Sequence, residues 1–174
     1  MQQRLVLVVG VLAIAVLLAA IIAGPLIPQV LAGLRSESKA ASSEPVRLSA
    51  TVNITGEGTR EEDLMLFVPG GFGKLVPGHK RLVIESVAVN AFVPRGQGIA
   101  LVSLLSTLNG AQGGFPLTLQ HQSSGQNTDS LSGTYPIRLY ADPGTKVRVL
   151  VSRGAAAGAA VITITASGYL VDLT

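Results

Sequence analysis

The sequence predicts an all-β protein: an antiparallel β-sandwich, jelly-roll-like, preceded by one N-terminal apolar helix. Three observations predict it. Residues 5–23 contain only Leu, Val, Ile, Ala and one Gly, and no charge falls between Arg4 and Arg35. Residues 46–55, VRLSATVNIT, alternate Val46, Leu48, Ala50, Val52 and Ile54 with polar or charged neighbours, the period of a half-buried strand. Residues 135–173 continue in the same texture, with two alternating runs flanking a Pro-Gly turn and a third, β-branched run closing the chain.

At 174 residues the chain has room for one domain and an appendage. Residues 1–32 are expected to form a signal peptide or membrane-anchor helix, residues 33–45 a flexible linker, and residues 46–174 the β-sandwich domain. The apolar run is long enough to cross a bilayer, which needs about 20 residues. Arg4 supplies a short positive start, and Val30-Leu31-Ala32 supplies the small residues of a cleavage site. The run is longer than a typical signal core, which favours an uncleaved anchor. Arg35 and Lys39 on its far side leave the orientation open. Either way the β domain is expected outside the cytoplasm: secreted, periplasmic, or anchored to the membrane. The small polar residues of 33–45 carry no large apolar group apart from Leu34 and read as a tether.

Along the domain, residues 46–55 form the first predicted strand. Residues 56–63, GEGTREED, predict a solvated acidic loop, since their spacing matches no EF-hand. A short apolar strand follows over 64–68. Residues 70–81 contain Gly73-Lys74, yet Val68 and Leu75 stand where a phosphate loop requires Gly and Ser or Thr. That segment is expected to be a turn carrying a basic cluster of Lys74, His79, Lys80 and Arg81. Long strands are predicted over 81–93, with Glu85 on the exposed face, and over 99–108. Residues 109–114, NGAQGG, suit a turn with positive φ, and 115–122 suit a short strand. Residues 123–134 predict a long polar loop, a place where binding specificity is often carried.

The C-terminal runs permit a register argument. Ala141, Leu139 and Ile137 opposite Val147, Val149 and Val151 keep both apolar sets on one face. That register sets Asp142 opposite Lys146 and Tyr140 opposite Arg148 as outward pairs. Gly144 sits in the middle of the resulting three-residue loop, where the last position normally requires it. The alternative is an arch that sends the two runs into different sheets. In the final run Gly168 interrupts the pattern as a bulge or a close-packing point would.

Three pieces, VPGHKRLVIESV, RLYADPGTKVRVLVSR and ASGYLVDL, together resemble a group of small uncharacterised exported bacterial proteins with a predicted β-sandwich domain. The resemblance covers residues 76–173. It implies the fold and export and offers no catalytic residues to carry over. The ending SGYLVDL is also similar to the last strand of complement-C1q-type jelly rolls, which form trimers.

Composition narrows the function. Cysteine is absent, so no disulfide, thiolate metal site or cysteine nucleophile exists. A net charge of +3, with three Tyr, four Phe and no Trp, argues against nucleic acid as a partner. No cofactor is implied. His79 and His121 stand alone, without a nucleophile elbow, so no enzyme is expected unless one lies beside a carboxylate in a cleft. The expected function is that of an exported or surface-displayed non-catalytic protein mediating interaction or assembly. Its partners would be the membrane, through an uncleaved N-terminal helix, and a homo-oligomer or cell-surface partner. The alternative is a carbohydrate- or small-ligand-binding module of the cell envelope, with Tyr135, Tyr140 and Phe115 as its few aromatics. The candidate ligand or partner contacts are Lys74, His79, Lys80, Arg81, Tyr140 and Arg148.

Overall fold

The computed structural model describes residues 43–154 and 157–173. The predicted leader and all but the last three residues of the predicted linker lie outside the described residues. Within them every regular element is a strand. In chain order these are β1 (Ser43–Thr55), β2 (Gly58–Asp63), β3 (Met65–Val68), β4 (Gly71–Gly73), β5 (Lys80–Pro94), β6 (Leu101–Leu108), β7 (Ala111–Leu117), β8 (Gln120–Ser124), β9 (Thr128–Ala141), β10 (Arg148–Arg153) and β11 (Ala159–Asp172). They form two antiparallel sheets, a seven-stranded one in the order β4-β3-β1-β11-β5-β9-β8 and a four-stranded one in the order β2-β10-β6-β7.

The pairings nest. β1 pairs with β11, β2 with β10, β5 with β9 and β6 with β7. The chain is thus a doubled ribbon whose tip is the Asn109-Gly110 turn, where Leu108 lies opposite Ala111. Both turn residues have positive φ, 53° at Asn109 and 75° at Gly110. This two-residue turn matches the twist of the strands it joins, and Asn-Gly adopts it at least cost. The sequence placed a turn over all of 109–114; only its first two residues turn, and the rest begin β7.

Alternation builds the core. Val46, Leu48, Ala50, Val52 and Ile54 of β1 are buried, as the period of two predicts, and Ala160, Ile162, Ile164 and Ala166 of β11 lie opposite them. Val102 and Leu104 of β6 and Val149 and Val151 of β10 join the same apolar cluster from the smaller sheet. On β5 the inward residues Ile84 and Val87 are three apart, which strict alternation forbids. An extra residue at Glu85 absorbs the difference: opposite β11, Ile84 pairs with Gly168 and Ser86 with Ser167, which leaves Glu85 without a partner there, and Glu85 is exposed as predicted. The register to β9 shifts at the same place, with Leu139 opposite Ile84 and Pro136 opposite Ser86. A Cβ at position 168 would overlap the Val83 carbonyl oxygen, so the backbones of β5 and β11 approach more closely there than any side chain permits.

Five expectations need correction. Residues 43–45 belong to β1, not to the linker, with Ser43 opposite Val171. The acidic segment 56–63 is largely strand: β2 is an edge strand paired with β10, and charged side chains on both faces are what guard an edge against unwanted pairing. The single predicted strand 115–122 is cut in two, because the chain leaves the smaller sheet after Leu117 and enters the larger at Gln120. The predicted polar loop 123–134 is mostly β8 and β9; Asp129 and Leu131 are buried while their neighbours are exposed or half-buried, so few apolar residues were needed. The predicted hairpin 137–151 does not form. β9 pairs with β5 and β10 with β2 and β6, so residues 142–147 are the arch between sheets that the position of Gly144 allowed.

Arg153 is the largest of the fully buried side chains, at 1% exposed. It follows Val149 and Val151 at spacings of two, and that parity turns it inward. Its guanidinium donates to the carbonyls of Ala157 and Gly158, each at 2.7 Å, to that of Ile54 at 3.4 Å, and to the Gln97 amide oxygen. It thereby ties the crossings between sheets at one end of the molecule. Replacing Arg153 with Met leaves these acceptors without their donor and is expected to cost about 3 kcal/mol of unfolding free energy, measured by urea titration. Gly168→Val forces β5 and β11 apart and is expected to cost about 2 kcal/mol or more in the same measurement; an unchanged midpoint contradicts the close approach.

Candidate functional site

Register places the predicted contact residues at the opposite end from Arg153. Lys80 pairs with Asp172 where β5 starts and β11 ends, and Arg148 opens β10 opposite Asp63. A backbone bond from Asp142 N to Thr107 O, 2.9 Å, joins the two sheets there. Each cation of the cluster meets a carboxylate. Lys80 Nζ lies 2.5 Å from Glu44 and 3.8 Å from Asp172, and Arg81 lies 3.2 Å from Asp142. Arg148 lies 2.6 Å from Glu61 and donates to the Gln112 amide oxygen at 3.0 Å. Lys146 and Lys74 share Asp63, at 2.7 and 3.7 Å. The predicted outward pair of Asp142 with Lys146 is therefore replaced by two others, and the basic cluster forms part of a collar of ion pairs. His79 is exposed, its carbonyl accepting from Leu173 N at 3.0 Å.

Tyr140 stands apart from this collar. It lines a lateral cleft of about 350 Å³ between the edge of β9 and the β6–β7 hairpin, with Ser106, Leu108, Gln112, Arg138 and Leu139. The cleft exists because β8 pairs with β9 only from Asp129 to Ser132, leaving the lower part of that strand uncovered on one side. The Thr107–Asp142 bond closes one end. The phenols of Tyr140 and Tyr169 beside Arg138 hold its guanidinium further toward its charged form. Among the described residues Arg138 makes no ion pair. Nothing in the sequence marked Arg138 or Gln112, because the gap between sheet edges arises from strand order. Tyr135 and Phe115, the other expected aromatics, pack against the core.

A second feature is apolar. Phe67 and Phe72 face each other across the β3–β4 pair, ring centroids 6.4 Å apart, and Leu75 follows. They are 44%, 74% and 53% exposed.

His121 does lie near a carboxylate. Its Nε2 is 3.0 Å from Ser124 Oγ and 3.7 Å from Asp129 Oδ1. Both neighbours address the same ring nitrogen, whereas a serine relay needs the hydroxyl on one nitrogen and the acid on the other. Asp129 Oδ2 accepts from Gly96 N at 2.7 Å, and that bond is the main reason its carboxyl is held below the usual value of 3.8. Among the described residues no group of three or more His, Cys, Asp or Glu is placed to hold a metal. No protein-family model matches the sequence, and no curated protein matches it.

Asp63, like Asp129, is held below its usual 3.8, chiefly by its hydrogen bond from Lys146. A carboxylate with a depressed folded value stabilises the fold fully above its unfolded value, and that contribution is lost as pH falls through the folded one. Melting temperature is expected to hold from pH 7 to near 4 and to drop below it. Asp63→Asn and Asp129→Asn each flatten that drop; an undiminished acid limb in both variants contradicts the assignment. Lys80, raised chiefly by its hydrogen bond to Glu44, stabilises at all lower pH and ceases to do so only above its usual 10.5.

Proposed function

We propose that the chain is an exported or surface-displayed, non-catalytic protein whose β-sandwich domain, of jelly-roll type, mediates interaction or assembly. The nested pairings support the fold: with β3, β4 and β8 set aside, the ribbon gives two four-stranded layers, β1-β11-β5-β9 and β2-β10-β6-β7, the arrangement of two Greek keys rolled together. The apolar run at residues 5–23 supports export, as a cleaved leader or as a retained helix that makes the membrane a partner.

The observation that carries the interaction reading is the β3–β4 hairpin. It adds to the eight-stranded frame and ends the larger sheet with a three-residue strand bearing Phe72 at 74% exposed. Aromatic residues presented in this way at a sheet edge anchor protein contacts. Self-association through this hairpin is expected to give a defined oligomer of the full chain in mild detergent by sedimentation velocity. Phe72→Ser is expected to weaken it by about tenfold or more. A single monomeric species for the unaltered chain overturns assembly as the role. The second reading, a carbohydrate- or small-ligand-binding module, is favoured by the lateral cleft, whose volume lies at the lower end of the range for ligand pockets.

A further inference from the structure

We propose that the chains assemble head to tail, with the β3–β4 hairpin of one copy seated in the lateral cleft of the next and Phe72 as the inserted side chain. This deepens the assembly reading and rests on it. The hairpin is shaped for insertion. Residues 64–73 carry no charge, so the tip sheds water at little cost. Phe72 stands between Gly71 and Gly73, so the strand that presents it bears no other side chain to widen it. Among the described residues β4 pairs with β3 alone, and its outer edge keeps its backbone donors and acceptors free.

The cleft complements that tip. Register gives its β6–β7 wall one consistent face, since Leu108 lies opposite Ala111 and Ser106 opposite Gly113, and all four line the cleft. Leu139 of β9 lines it from the larger sheet. Ser106 is buried, and Gly113 shares its side of the smaller sheet, so the missing side chain at 113 leaves room there. A cavity of about 150 Å³ already takes a benzene ring, and the cleft holds about 350 Å³. The edge of β9 that β8 leaves uncovered offers backbone partners to the outer edge of β4, as when an added strand extends a sheet. The donor is another copy. β4 and β9 stand five places apart in the larger sheet, about 24 Å at the usual strand spacing, so a hairpin does not meet its own cleft. Hairpin and cleft lie toward opposite edges of that sheet, and a contact between unlike surfaces passes from each copy to the next until the rotation closes a ring.

The test is sedimentation velocity of the full chain in mild detergent. Gly113→Trp fills the place of the incoming Phe72 and is expected to weaken association by about tenfold or more. Ala111→Glu, which sets a charge on the same wall, is expected to do likewise. Both positions are exposed, and a Cβ at Gly113 meets nothing within 4 Å, so the melting temperature of each variant is expected to be unchanged. Phe72→Ser keeps a working cleft and Gly113→Trp a working hairpin. Mixed, these two variants are expected to pair one to one and to grow no further. Association that survives both cleft substitutions overturns the head-to-tail contact and leaves assembly through hairpins that face one another. A mixture that forms no pair overturns it too. An unaltered chain that stays monomeric overturns it together with the assembly reading.

Discussion

The structure depends on one strand being held on both sides. β11 lies between β1 and β5, pairing with the first through thirteen consecutive residues and with the second along twelve. Its inward side chains, Ala160, Ile162, Ile164, Ala166 and Leu170, are all buried at 3% exposure or less. Without it the larger sheet separates into β4-β3-β1 and β5-β9-β8, and neither piece has its inner hydrogen-bonding edge satisfied. The alternation of β11 therefore fixes which face of its neighbours looks inward, since a slip of one residue reverses every side chain.

Two devices keep that alternation compatible with the rest of the chain. The extra residue at Glu85 resets parity on β5 so that apolar residues on both sides of it reach the same core. The missing side chain at Gly168 lets β11 follow the bend that results. At one end of the sheets Arg153 replaces apolar packing with donors to three carbonyls and an amide, closing crossings that would otherwise leave buried acceptors unanswered. At the other end the collar of Lys80, Arg81, Lys146 and Arg148 with their carboxylates does comparable work near solvent, where each pair is worth less than about 1 kcal/mol.

Much of this was legible in the residues. The β1 alternation, the exposed Glu85, the interruption at Gly168 and the arch signalled by Gly144 each follow from local chemistry. The failures share a cause. β2, β8 and the first half of β9 are polar on most sides because they lie at or next to sheet edges, and strand recognition through apolar period two is blind to such strands. The predicted pairs of Asp142 with Lys146 and Tyr140 with Arg148 were internally consistent in the sequence. Arg81, Asp63 and Glu61 took their places because partners distant in sequence arrive only with the full strand order. The cleft was illegible for the same reason: it is the space left where β8 stops short, and no residue type announces a gap. Arg153 drew no expectation from the sequence, although it shares the parity of Val149 and Val151.

The side-by-side placement of β1 and β11 sets an order of events during synthesis. The two strands stand at opposite ends of the described domain, with Ser43 opposite Val171. At about 5–20 residues per second the ribosome delivers β1 several seconds before its main neighbour exists. In that interval β1 has only the three-residue register with β3, and its Val, Leu and Ile face remains unmatched. Such long-range closure slows folding and leaves sticky intermediates, so the newborn chain gains its native sheet only once β11 emerges. A stop codon anywhere before β11 would yield a product that can neither complete the sheet nor hide the first strand.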